Sequence, residues 1–252
     1  MFRWRFISFV FLSVGILVSC KKDEPVETQS DPALTIVFEP SVNSEPFVAD
    51  TKWYTNFSND SFTVTKFNYY ISNIKLKKSD GSTYSVPESY HLLQHVEGIN
   101  KISLTKLPEG DYTGIQFLIG VDSLRNVSGS QSGDLDPSKN MFWDWNTGYI
   151  FYKLEGRFNT LTKPVKGDYA IHIGGYKGKD NCIQSCSFSL SNALQLRKNK
   201  QSKVYFKVKL EEVFQNPLFI DFDYYYATLP NNNSKEISEN YRDMFLPYKV
   251  EN

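Results

Sequence analysis

The sequence predicts an all-β protein: an antiparallel β-sandwich with long loops and a short C-terminal helix. The first observation is strict alternation. Val204, Phe206, Val208 and Leu210 fall on one side of an extended segment, and Tyr205, Lys207, Lys209 and Glu211 on the other. A period of two is the signature of a strand with one face buried. The second is composition. Aromatic residues make up 15% of the 252-residue chain, and Phe and Tyr both favour strands and bury large areas. The third is punctuation. Asp80-Gly81, Pro108-Glu109-Gly110-Asp111 and Lys166-Gly167-Asp168 separate the apolar runs at short intervals, which marks turns between many short strands.

Taken in order, the chain opens on a targeting segment. Arg3 and Arg5 precede an apolar run from Phe6 to Val18. That run is shorter than the roughly 20 residues a membrane-spanning helix needs, and it has the layout of a secretory signal. Cys20 directly follows Leu17-Val18-Ser19, which resembles the bacterial lipobox. Residues 1–19 are therefore expected to be a lipoprotein signal, and Cys20 the lipidated first residue of the mature chain. Lys21-Lys22-Asp23-Glu24 resembles the acidic signal that directs Bacteroidetes lipoproteins to the cell surface. The expected location is the outer membrane, on its periplasmic face or at the cell surface. Residues 20–32 are polar and proline-bearing, as suits a flexible tether. Residues 33–252 form the remaining domain.

Strands are expected at Leu34–Phe38, Phe62–Lys77, Ile99–Leu104, Tyr112–Val121, Tyr149–Glu155, Tyr169–Ile173 and Leu218–Phe222. The stretch from Asn126 to Lys139 is rich in Gly, Ser and Asp and predicts a long loop. Ser234 is positioned to cap a short helix that carries Ile237, Tyr241, Met244 and Phe245 on one face. The chain holds 28 basic and 28 acidic residues, and this balance gives no reason to expect nucleic acid. After Cys20, Cys182 and Cys186 remain; an even pair in an oxidising compartment reads first as a local disulfide.

Chemistry-bearing motifs are sparse. There is no Gly-x-Ser-x-Gly elbow, phosphate loop or His-Glu-x-x-His, so no enzymatic turnover is expected. Only His91, His95 and His172 supply imidazole. Asp122 and Asp136 flank a polar loop and offer oxygen ligands of the kind calcium takes, although acids at turns are usually just solvated. The segment Met141-Phe142-Trp143-Asp144-Trp145-Asn146-Thr147-Gly148-Tyr149-Ile150-Phe151 concentrates aromatic rings. Such a cluster suits a buried loop, a platform for stacking sugars, or a redox or metal environment.

Several segments in order resemble one family: Phe67-Asn68-Tyr69-Tyr70-Ile71-Ser72-Asn73-Ile74-Lys75-Leu76, Tyr90-His91-Leu92-Leu93, Pro108-Glu109-Gly110-Asp111-Tyr112, Phe117-Leu118-Ile119-Gly120-Val121-Asp122, Gly133-Asp134-Leu135-Asp136-Pro137, Met141 to Gly156, and Ile171-His172-Ile173-Gly174-Gly175. Over about residues 34 to 215 they resemble the methanobactin-associated periplasmic protein (MbnP-like) family of secreted copper-binding proteins. The resemblance implies an all-β sandwich and copper(I) held by histidines and a tryptophan-derived kynurenine, which a dihaem partner of the cytochrome c peroxidase type makes. Carried over by motif, the ligands are His91, His172 and Trp143, with Trp145 as the alternative to Trp143. An aromatic amine would add a nitrogen donor that indole cannot, because the indole N–H only donates. The function expected is copper capture or handling at the cell envelope. The rival expectation is a surface ligand-binding or adhesion lipoprotein in which Trp143, Trp145 and Tyr224-Tyr225-Tyr226 stack on glycans or peptides.

Overall fold

The computed structural model describes residues 1, 30–129, 131–144, 147–161, 165–228 and 232–252. Cys20, its signal and most of the tether lie outside these residues, as does Trp145. In chain order the main strands are β1 (Ala33–Val42), β2 (Lys66–Lys78), β3 (Tyr90–Gln94), β4 (Lys101–Leu104), β5 (Gly110–Ile119), β6 (Phe142–Asp144), β7 (Gly148–Asn159), β8 (Lys166–Gly174), β9 (Gln184–Leu196), β10 (Gln201–Lys209) and β11 (Phe245–Glu251). Two helices, α1 (Ser123–Asn126) and α2 (Asn232–Arg242), complete the frame.

These strands form the expected sandwich. The smaller sheet runs β11-β10-β1, with β4 also on β1. The larger runs β9-β5-β2-β7-β8, with β3 on β2 and β6 on β7. Most pairs are antiparallel, but β1 lies parallel to β10, from Ala33 opposite Gln201 to Ser41 opposite Lys209. β1 enters the middle of this sheet, between β10 and the mid-chain β4, and a second parallel pair joins β8 to the short strand Ala227–Thr228. Alternation in β10 then works as its sequence predicts. Val204, Phe206 and Val208 are fully buried, and the residues between them are half-exposed.

Phe38 stands at the centre. Its ring stacks on Phe206 at 5.5 Å and meets Phe245, Phe117 and Tyr69 edge-on at 5.9, 6.2 and 6.4 Å. It therefore joins its own sheet to the facing one. Edge-to-face pairs of this kind add about 0.5–1.5 kcal/mol each beyond area burial.

Some boundaries differ from the sequence reading. The run Phe62–Lys77 divides into a short Ser61–Phe62 strand and β2. Between them, Thr63 N–H and Thr65 N–H donate to the carbonyls of Arg157 and Glu155. The backbone crosses so closely that a Cβ on Gly156 would lie 1.9 Å from the Thr63 oxygen. The predicted strand at Leu218–Phe222 does not form. Its N–H groups are satisfied elsewhere: Leu218 by the Asn240 side chain, Ile220 by the Phe214 carbonyl and Phe222 by Asp60. The supposed long loop after Asn126 folds into two 3-10 turns, Gly133–Leu135 and Pro137–Lys139. Leu135 is buried there, and Asp136 accepts from the Ser138 N–H at 2.8 Å. Ser234 lies inside the first turn of α2 rather than before it. Ile237 and Tyr241 are buried as expected, while Met244 and Phe245 lie beyond the helix, Phe245 opening β11.

Two substitutions test this frame in denaturant unfolding. Phe38→Ala should cost about 3–5 kcal/mol, the range for deleting a buried aromatic ring. Gly156→Ala should destabilise as strongly as a core truncation despite adding one methyl, because the atom it meets is backbone.

Candidate metal centre on the outer sheet face

Strand β8 positions His172 by simple alternation. Tyr169, Ile171 and Ile173 are buried toward the facing sheet, so Ala170, His172 and Gly174 belong to the opposite, outer face. The register continues that face across the sheet. His172 pairs with Lys153 of β7, Lys153 with Asn68 of β2, and Asn68 with Gln94 of β3.

On this face His172 is held by a carboxylate. Its Nε2 lies 2.7 Å from Glu155 Oε1. Glu155 is two residues along β7 from Lys153, hence on the same face. Burial holds the His172 imidazole below its ordinary pKa, while the Glu155 hydrogen bond opposes that shift. Lys153 is also held low by burial, against the pull of Glu155, and its Nζ donates to the Asn140 carbonyl at 2.6 Å. A neutral imidazole that donates from one nitrogen to a carboxylate has its ring fixed and its other nitrogen available as a metal ligand.

Trp143 joins the same corner. A Cβ on Gly174 would lie 2.5 Å from Trp143 Cζ3 and 2.5 Å from the Tyr149 carbonyl oxygen. The indole therefore occupies the space a side chain would take, two residues from His172 on the same strand face. Strand β6 delivers it through pairing of Phe142 with Tyr149 and Asp144 with Gly148.

His91 is placed elsewhere. Its partner across β2 is Ile71, and Ile71 alternates with Tyr70, so His91 shares the inner face with Leu93 and His95. Three strand spacings, about 14 Å laterally at 4.8 Å each, separate β3 from β8. The structure thus brings His172 and Trp143 together but does not bring His91 to them. The His91 Nε2 is buried without a hydrogen-bond partner. Burial lowers its pKa, and Asp134 works in the other direction. Among the described residues, no three His, Cys, Asp or Glu side chains gather closely enough to hold a metal ion.

Glu155, Lys153 and Gly174 were missed as site residues in the sequence. Alternation within Tyr149–Glu155 places both charged groups on one face, but which strand lies opposite is fixed only by tertiary pairing. Asp122 caps α1 through the Arg125 N–H and also accepts from Tyr90 and Asn73. Its oxygens are committed to protein donors, and the turn-acid reading fits better than calcium.

The expected disulfide is corrected. Cys182 and Cys186 are free, buried thiols. Each turns to a different carbonyl, Cys182 Sγ to Asp180 at 3.5 Å and Cys186 Sγ to Arg242 at 3.7 Å. Burial pushes both thiols up to about 12. Both should resist alkylation in native protein at neutral pH and react fully on unfolding. Rapid labelling of the folded state would contradict the burial.

His95 gives the core a pH limit. It is buried against Phe67 and shares a 2.9 Å hydrogen bond with the Tyr69 hydroxyl. Burial lowers its pKa to about 3. Below about 6.5, the ordinary value, the unfolded chain takes up a proton that the folded chain refuses. Stability from this group is complete above that pH and falls as pH drops toward 3. The slope approaches about 1.4 kcal/mol per pH unit. His95→Gln should flatten that part of the acid limb in unfolding measured from pH 7 to 4.

The structure of MbnP from Methylosinus trichosporium is similar, with a TM-score of 0.51 and 13% identity, covering 73% of this chain and 77% of that one. At that identity the likeness concerns the fold. No curated protein matches the chain. The MbnP family model matches residues 31–234, most of the folded domain and both strands that carry the His172 corner. The chain belongs to the MbnP family.

Proposed function

We propose that this protein is a copper-binding component of the cell envelope, serving copper capture or handling without turnover of its own. The observation that supports it most is the Glu155–His172 pair beside Trp143. Imidazole suits copper, and a carboxylate on one ring nitrogen is the usual arrangement behind a ligating histidine. His172 is the principal ligand in this reading, with Glu155 as its positioning residue. Trp143, or Trp145 in its place, would supply a second nitrogen only after oxidation to kynurenine, because an unmodified indole N–H cannot accept. A dihaem partner of the cytochrome c peroxidase type would carry out that oxidation. His91 stands outside the corner and is not a ligand in this reading, although its own nitrogen is unpartnered.

The anchor belongs to the same proposal. Cys20 carries lipid and tethers the domain at the outer membrane. The lower end of the tether is pinned: Ser30 N–H donates to the Asn199 side chain, and Leu107 N–H to the Pro32 carbonyl.

Copper content of protein purified from its native envelope, with intact-mass analysis of the same sample, tests the reading. His172→Ala should remove most of the copper. Trp143→Phe should weaken retention, and His91→Ala should leave copper content near that of the parent protein. Copper retained in His172→Ala would overturn the assignment. Equal loss in His91→Ala would show that the two histidines share a metal and that the outer-face corner is wrong.

A further inference from the structure

One phenol of the core differs from the rest in what stands against its hydroxyl. Tyr70, Tyr112, Tyr149, Tyr169 and Tyr241 donate to backbone carbonyls at 2.6–2.9 Å. Tyr152 has no partner among the described residues. The Tyr69 oxygen lies 2.9 Å from Nε2 of His95, so it alone among these buried phenols faces a base. We propose that Tyr69 and His95 form a redox site, in which Tyr69 gives one electron to an external high-valent metal oxidant while its phenolic proton passes to His95 Nε2.

The direction of the hydrogen bond follows from the groups it leaves over. His95 Nδ1 has no partner. If the phenol O–H donates to Nε2, the Nδ1–H is the one group unsatisfied. In the other tautomer Nε2–H donates, and both the phenol proton and the bare Nδ1 are orphaned. Unsatisfied buried groups are costly, so the phenol is the donor. Burial keeps the imidazole neutral at rest, which leaves Nε2 open to a proton.

Loss of an electron makes a phenol a far stronger acid than an imidazolium, even one disfavoured by burial. The proton then crosses a bond already within transfer distance. The O–H bond breaks, an N–H bond forms at Nε2, and the oxidant is reduced by one electron. The products are a neutral phenoxyl on Tyr69 and an imidazolium on His95. Returning the electron reverses both movements. A backbone carbonyl accepts a hydrogen bond but is too weak a base to take the proton, so the other buried phenols cannot follow this course.

The aromatic stack leads to the pair. Tyr241 lies on Tyr152 at 4.9 Å, and Tyr152 is stacked with Tyr69 at 6.4 Å. An electron vacancy on either ring passes to Tyr69, the one member whose proton has somewhere to go. Tyr69 is fully buried, which shields its phenoxyl from reductants in water. Tyr90, Tyr205 and Tyr248 also face bases, the carboxylates of Asp122, Glu251 and Glu39, but none of the three is buried.

The test oxidises metal-stripped, full-length protein with photogenerated tris(bipyridine)ruthenium(III) and a cobalt(III) electron acceptor. Transient absorption and electron paramagnetic resonance follow the radical with ascorbate present. The step uses no copper, so its failure leaves the copper reading standing. A long-lived, ascorbate-resistant phenoxyl signal is expected. Tyr69→Phe and His95→Gln should each abolish it with circular dichroism unchanged; Tyr69→Phe, which deletes only an oxygen, decides the matter should the glutamine variant unfold. Two controls should keep the signal: Tyr169→Phe, which removes a buried phenol bonded to a carbonyl, and the combined Tyr90→Phe/Tyr205→Phe/Tyr248→Phe variant. Absence of a long-lived radical in the parent protein would overturn the proposal. So would its persistence in Tyr69→Phe or in folded His95→Gln, or its loss in either control.

Discussion

The fold rests on β1 entering the middle of the smaller sheet beside a strand from late in the chain. Its neighbours are β10 on one side and β4 on the other, and Phe38 at its centre reaches the second sheet through Tyr69 and Phe117. Parallel pairing of β1 with β10 cannot be closed by a tight turn, so the sheet is complete only when chain ends some 170 residues apart have met. The domain is therefore locked by its first and last parts, and the larger sheet is sealed on its inner face by the same event. Anything carried on the outer face of that sheet inherits a rigid floor.

That rigidity bears on the His172 corner. His172, Lys153, Asn68 and Gln94 form one row across four strands, with side-chain spacing set by the sheet. His172 cannot swing freely, because Glu155 from the adjacent strand holds one ring nitrogen. Trp143 is similarly confined, since its indole fills the space above Gly174. A site built on strands and fixed by a second layer of contacts presents its ligands with little reorganisation.

The inner face shows a different use of polar groups. His95 is sealed against Phe67 and bonded to Tyr69, and Tyr69, Tyr152 and Tyr241 form a continuous stack through the core. Burial raises the pKa of all three phenols, so they stay neutral and act as packing with a polar tip. Cys182 and Cys186 border this stack as small buried groups. Their neutrality, like that of His95, follows from the cost of charging a group where water cannot follow.

The sequence alone determined the class of fold and most of the strands, because period-two alternation and aromatic content act locally and require no partner. The order of its motifs pointed to the MbnP family, and His172 and Trp143 were both marked as site residues from that order. Tertiary structure decided what stands opposite what. Glu155 holds His172 only because β7 and β8 pair with Lys153 against His172. His91 falls on the other face of a strand three positions away, although its motif reads as well as that of His172. Leu218–Phe222 has strand-like composition yet stays irregular, because Asn240, Asp60 and Phe214 satisfy its backbone from elsewhere in the chain. Four residues separate Cys182 from Cys186, a spacing that suggested a bond, but the paths of β9 and α2 turn the two sulfurs toward different carbonyls. Each of these outcomes depends on register and facing, which arise from long-range pairing and are not written in any local stretch of sequence.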